Sequence, residues 1–388
     1  MPILKRNGFV ALRAANFLAN YHHYLVAFVL STIIASFVGE TWLGLVVAGA
    51  SAVMAISLGF APSLFTRFGT NRALAVLGTL EIVTLVGLAL SDTTLEVVLF
   101  FTLQGIFTYS MFVGLDLLLE AETRDEKKTG NTRGVFLTIT NIAVFAATLS
   151  LAWISVGNEY LRIFLASAGA LIPFVVLAVF KLPKISNARH SIQVPLFKNL
   201  RALARHPSLA AIMGSHFLLQ LFFSWMVIYA PLFLFTYIGF SWSTIGLMLT
   251  IAMLPYVLFE YPLGYIADKY IGEKELLVAG FIMVGVTTIA MSFLNGAGVI
   301  AWGVLLVLTR IGAATIEVMT ETHFFRHVDE KDTDIISIFR VLRPTASVVG
   351  PIIGTIALLM MPLSSTFIVF GVILLFGIPL AVTIKDSK

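Results

Sequence analysis

The chain has 388 residues, of which 59% are hydrophobic and 12% charged, with a formal net charge of +4 and no cysteine. A soluble protein of this length covers its surface with polar side chains, and this sequence does not have enough of them. The missing cysteine excludes disulfides and thiolate metal sites, and the small positive charge carries no nucleic-acid footprint.

In chain order, Lys5 and Arg6 resemble the charged start of a signal peptide. The segment behind them, however, is long, holds Asn16, Asn20, His22 and His23, and lacks a small-residue cleavage site. It reads as the first membrane span, kept in the mature protein. Spans are predicted over 9–36, 41–65, 72–91, 95–120, 134–157, 160–182, 208–238, 243–267, 273–294, 297–324, 333–360 and 363–384. Each is near or above the ~20 residues that carry a helix across hydrocarbon. Strands are excluded because the segments are long, show no apolar/polar alternation and could not satisfy an isolated strand's backbone in lipid.

The loops test this count. One alternate set holds nearly all the Lys and Arg, including Arg67, Arg72, Lys127, Lys128, Lys184, Arg201, Lys269, Lys274 and Arg326. The other set holds only Arg162, and Arg310, Arg340 and Arg343 fall within spans. A miscounted span would mix the sets, so both termini are expected in the cytoplasm. The longest connection, 183–206, is basic and rich in proline, and it separates six spans (1–182) from six more (207–388). It is expected to lie on the anionic inner leaflet. The run from Glu122 to Arg133 reads as a solvated loop.

The halves also resemble each other at an offset of about 201 residues. Asn16-Phe17-Leu18-Ala19-Asn20 aligns with His216-Phe217-Leu218-Leu219-Gln220, Asp116 and Glu120 with Glu317 and Glu321, and Arg67 with Lys269. Three matches in order predict a parallel repeat about an axis along the membrane normal.

Between spans 8 and 9 stands Gly264-Tyr265-Ile266-Ala267-Asp268-Lys269-Tyr270-Ile271-Gly272-Glu273-Lys274. It resembles the loop signature of the major facilitator superfamily, with one residue inserted before the second Gly. A first copy between spans 2 and 3 keeps Arg67, Gly69 and Arg72 but has Pro62 for the first Gly and Thr66 for the acid. Glu120 and Glu122 at the end of span 4, with Arg133-Gly134 opening span 5, resemble the family's salt-bridge network. Gly350-Pro351-Ile352-Ile353-Gly354 looks like the motif of the antiporter branch, placed in span 11 instead of span 5. The resemblance implies an all-α integral membrane protein, two pseudo-symmetric six-helix bundles around a cavity lined by spans 1, 4, 7 and 10. It also implies Asp268 as part of an inward gate lock, with Thr66 unable to hold the matching charge.

Ionisable groups inside spans cost ~2.5–3.5 kcal/mol at a helix centre and point to function. Arg310, in the middle of span 10, is an anchor for an anionic solute, a counter-ion released when a carboxylate is protonated, or one half of a structural ion pair. Glu317 lies two turns on and, with Arg340 and Arg343 of span 11, makes either a proton-coupling cluster or a gate lock; Glu321, one turn further and nearer the cytoplasm, reads as structural. Asp116 takes the matching place in span 4, as a proton carrier or as a solvated acid at the mouth. Glu260, between Pro255 and Pro262, is a proton candidate or an interfacial salt bridge. Glu81 lies in span 3, a peripheral helix in the family, and is left outside the site. His22 and His216 suit proton coupling or plain packing. Asn16, Asn20, Gln220, Trp225 and Tyr229 would give a cavity hydrogen bonds and stacking surface. Arg67, Glu120, Glu122, Arg133, Asp268, Lys269, Glu321, Arg340 and Arg343 make the gate and salt-bridge set.

These residues lead to one expectation: a secondary transporter working by alternating access, proton-coupled, moving a small organic solute, with drug or metabolite efflux as the favoured direction. The alternatives are a facilitator or importer of a small polar or anionic solute or lysolipid-like amphiphile, and a sensor that kept the fold without transport. No cofactor, metal site or enzymatic constellation is expected. The setting expected is the plasma (inner) membrane, as a monomer, with the bilayer, a small solute and protons as partners.

Overall fold

The structure, a computed structural model, describes residues 6–122, 126–155, 160–182, 207–328 and 333–384. Every regular element among these residues is helical. The helices are α1 (Arg6–Val38), α2 (Glu40–Leu58), α3 (Ala61–Phe68), α4 (Thr70–Ala89), α5 (Thr94–Glu122), α6 (Glu126–Ile154) and α7 (Tyr160–Phe180) in the first half. The second half has α8 (Pro207–Thr236), α9 (Trp242–Lys269), α10 (Glu273–Met291), α11 (Val299–His327), α12 (Thr333–Met360), α13 (Leu363–Leu375) and α14 (Gly377–Val382). Twelve stretches among the described residues are long and apolar enough to cross a membrane, and they are the twelve predicted.

Three predicted boundaries change. The span predicted over 41–65 breaks after Leu58, where Gly59 ends α2 and α3 starts afresh with Pro62 in its first turn. Proline lacks the N–H that a continuing helix would need, but is well placed in a first turn. The last span divides at Phe376 into α13 and α14. Residues 126–133, predicted as loop, are the start of α6. The 183–206 linker lies outside the described residues.

The chain forms two compact units. One comprises Met1–Gly39, Gly49–Ser191 and Ser241–Leu247; the other comprises Glu40–Ala48, Ile192–Phe240 and Met248–Lys388. Each unit therefore takes the start of one helix, α2 or α9, from the opposite half of the sequence. In the first unit α1 packs on α5, α6 and α7, and α4 packs on α5 and α7. In the second, α8 packs on α11 and α12, and α10 on α11 and α13. α8 is the most thoroughly buried of the twelve spans.

The repeat read from side chains recurs in the backbone. Gly39 and Gly239, before α2 and α9, both have φ 78°, and Gly69 and Gly272, before α4 and α10, have φ 81° and 101°. These angles fall where a Cβ clashes with the backbone, so each turn needs glycine. The second Gly of the loop signature is thus a conformational requirement in both copies.

Candidate functional site

The polar residues of α1 point two ways. Asn16 is buried, and its amide donates to the Phe136 carbonyl at 3.1 Å and meets Thr140 Oγ1 at 3.1 Å, both on α6. Asn20 Nδ2 donates to the backbone and side-chain oxygens of Asn16, each at 2.9 Å. Residues two apart on a helix face nearly opposite directions, so His22 turns to the other side of α1. It is fully buried there, and its Nδ1 stands 4.0 Å from Glu81 Oε1 of α4. Ser167 of α7 donates to the His22 carbonyl at 2.9 Å.

Glu81 has no exposed surface. Thr108 of α5 donates to Glu81 Oε1 at 3.0 Å, and Gln104 Nε2 donates to Thr108 Oγ1 at 3.1 Å. Thr84 Oγ1 lies 3.3 Å from Oε2 while donating to the Glu81 carbonyl at 2.8 Å. Sequence reasoning set this residue aside because its span is peripheral in the family. The available signal was the one that flagged other acids: an ionisable group in the middle of an apolar span.

In the second unit, α8 and α11 carry the corresponding chemistry. Gln220 Nε2 lies 3.1 Å from His216 Nε2, and His216 Nδ1 lies 3.3 Å from Thr320 Oγ1. Thr320 Oγ1 in turn donates to the Glu317 carbonyl at 3.1 Å. An amide N–H can only donate, so Nε2 accepts, Nδ1 carries the proton, and the order of donors runs from Gln220 through a neutral His216 to Thr320. Phe339 of α12 stacks on the imidazole at 4.1 Å.

Arg310 of α11 is 3% exposed. Its Cζ sits 5.3 Å from the Phe222 ring centroid, and its Nε has no hydrogen-bond partner. No carboxylate among the described residues pairs with it. Trp225 and Tyr229 are fully buried; Trp225 stacks on Phe370 at 4.4 Å, and the Tyr229 hydroxyl donates to the Pro351 carbonyl at 3.3 Å. A Cβ added to Gly354 would collide with the Tyr229 hydroxyl, which gives the second Gly of the span-11 motif a packing role.

A further cluster joins the start of α10 to the end of α11. Glu273, 4% exposed, accepts from His323 Nδ1 at 2.6 Å and from Arg326 at 2.6 Å. Ser208 Oγ lies 3.3 Å from His323 Nε2. Glu273 belongs to the loop signature, and its place in the first turn of α10 suits a carboxylate at a helix N-terminus. Sequence reasoning gave the lock to Asp268 and did not find this cluster; the imidazole is 50 residues away.

The remaining candidates are dispersed. Asp116 and Glu321 are exposed, while Glu120 and Glu317 are half-buried, and all four are engaged by neighbours. Arg67, Lys269, Arg340 and Arg343 are exposed; Arg67 lies over Phe68, and Lys269 donates to the Tyr265 hydroxyl at 2.9 Å. The side chains of Glu122, Arg133, Glu260 and Asp268 lie outside the described residues.

Residues 227–387 match the family model of the Major Facilitator Superfamily. No curated protein matches the chain. Among solved structures, the nucleoside transporter NupG superposes with a TM-score of 0.76 at 12% identity, over 98% of this chain and 100% of that one. A point mutant of NupG gives the same score and identity over 97% and 98%. At that identity the likeness is one of fold. Twelve apolar spans make the chain a multi-pass membrane protein, whose second half is similar in sequence to the Major Facilitator Superfamily and whose fold is similar to that of NupG over nearly its whole length.

Proposed function

We propose that the chain is a proton-coupled secondary transporter, working as a monomer in the bilayer, whose solute carries an anionic or strongly accepting oxygen group held by Arg310. The observation that supports this reading is the state of Arg310: buried, laid over Phe222 and unpaired by any described carboxylate. A guanidinium kept in the middle of a span without a counter-charge is costly and needs an acceptor from elsewhere. Its planar donors match a carboxylate or phosphate, and they also suit the ring carbonyls of a nucleobase. Nucleosides therefore enter the test panel beside organic anions. Asp116 and Glu317 remain the proton candidates at the matching repeat positions, and the Glu273–His323–Arg326 cluster takes the place of a gate lock.

The test is exchange in proteoliposomes, measured in both directions with radiolabelled organic acids and nucleosides. Wild-type protein should exchange at least one of them, and Arg310→Gln should weaken it about 10–100-fold, the worth of one charge-assisted contact. Equal exchange by the variant would remove Arg310 from the solute site.

A further inference from the structure

We propose that Glu81 and His22 form a buried proton-binding dyad inside the first unit, holding one proton between carboxyl and imidazole. Its use in coupling rests on the proton-coupled reading above.

The geometry carries the inference. Both side chains are fully buried, and the facing atoms, His22 Nδ1 and Glu81 Oε1, stand 4.0 Å apart. Neither ring nitrogen of His22 has a hydrogen-bond partner. The carboxyl, by contrast, is held by a relay from Gln104 through Thr108. A purely structural pair would close to the ~2.8 Å of a charge-assisted hydrogen bond. This one stands open by about 1 Å, and it leaves a buried imidazole unsatisfied at a cost of about 1–3 kcal/mol. Closure would satisfy the ring and let the proton sit on either partner.

The surroundings leave the pair to itself. From α1, His23 is adjacent, but its ring lies edge-on to Tyr109 and Phe112 at 5.8 and 5.6 Å. From α5 come only Gln104 and Thr108, from α4 itself Thr84, and from α7 Ser167, which bonds the His22 backbone. The other charged side chains described on these helices, Arg13, Arg72, Glu96, Asp116, Glu120 and Arg162, sit towards helix ends, and α6 from Val135 to Ile154 has no ionisable residue. Beyond the neighbouring His23, no charged side chain is shown against the pair among the described residues, so the dyad's charge state is settled chiefly between its two members. An isolated ionised carboxylate at such a site would be expensive, so the pair keeps at least one proton while it stays buried. Losing that proton requires wetting, which is what a moving helix pair supplies.

The dyad can be read without any solute. Infrared difference spectra of purified protein, taken across a pH series, report protonated carboxyl groups through their C=O stretch. Wild-type protein should show such a band at neutral pH. Glu81→Gln, which is isosteric, should remove it, and His22→Gln should shift its titration. A band unaffected by Glu81→Gln, or a titration unaffected by His22→Gln, overturns the dyad. If Glu81→Gln fails to fold, Glu81→Asp serves instead, with a displaced band expected and an unchanged one contradictory. Solute-driven proton flux in proteoliposomes separates the two readings. Absence of flux in wild type removes proton coupling and leaves the dyad standing, whereas undiminished flux in Glu81→Gln removes the dyad from transport.

Discussion

Each unit buries a charge-bearing residue in the middle of a membrane span, Glu81 in the first and Arg310 in the second, and the two treat it differently. Glu81 of the first unit is wrapped by Thr108, Thr84 and, across 4.0 Å, His22. Arg310 of the second has an aromatic face beside it and no described counter-ion. The difference separates what a fold can settle internally from what it leaves for a visitor. A carboxyl can keep its proton and become neutral, but an arginine cannot. An unpaired arginine therefore advertises a missing acceptor more strongly than a buried acid does.

Substitution should sharpen this contrast. The largest effect expected is on transport, from Arg310→Gln: about 10–100-fold weaker solute exchange with thermal stability little changed, because no described partner is orphaned. Arg310→Lys should recover part of the affinity but not the planar recognition.

Removing the Glu273 carboxylate should act on stability instead. Glu273→Ala leaves His323 buried and without its 2.6 Å partner, and removes the 2.6 Å contact of Arg326. A loss of about 1–3 kcal/mol is expected in denaturant or thermal unfolding, with solute affinity unchanged. At Glu81 the comparison turns on shape. Glu81→Gln keeps an acceptor for Thr108 and should cost under about 1 kcal/mol, whereas Glu81→Ala leaves buried hydroxyls unanswered and should cost about 1–2 kcal/mol.

The smallest effect belongs to Tyr237, outside the spans, whose hydroxyl donates to Glu40 at 2.5 Å. Burial and the Glu40 carboxylate push its phenol up to about 12. Tyr237→Phe should leave transport at neutral pH nearly unchanged. In an alkaline absorbance titration it should delete a late-ionising tyrosine and not an early one.

The fold was legible because lipid imposes a coarse, repetitive demand. Twenty-residue apolar stretches and the one-sided placement of Lys and Arg fix the twelve spans. The break after Leu58 was not read, although Gly59 and Pro62 mark it. Arg310 was legible for the same reason, being a cation in the middle of an apolar span. Glu81 was visible but undervalued, since its importance depends on Thr108, 27 residues on, and on His22 in another helix. The Glu273–His323 pair shows the same obstacle. A sequence shows which helices carry polar groups, but only packing decides which faces meet.

The central claim, a transporter whose solute is anchored by Arg310, is tested most directly by thermal unfolding of purified wild-type and Arg310→Gln protein against a panel of organic anions and nucleosides. The account predicts that at least one acceptor-bearing solute stabilises wild type, with the stabilisation lost or strongly reduced in the variant. Equal stabilisation of both proteins, or stabilisation confined to cationic solutes, would contradict it.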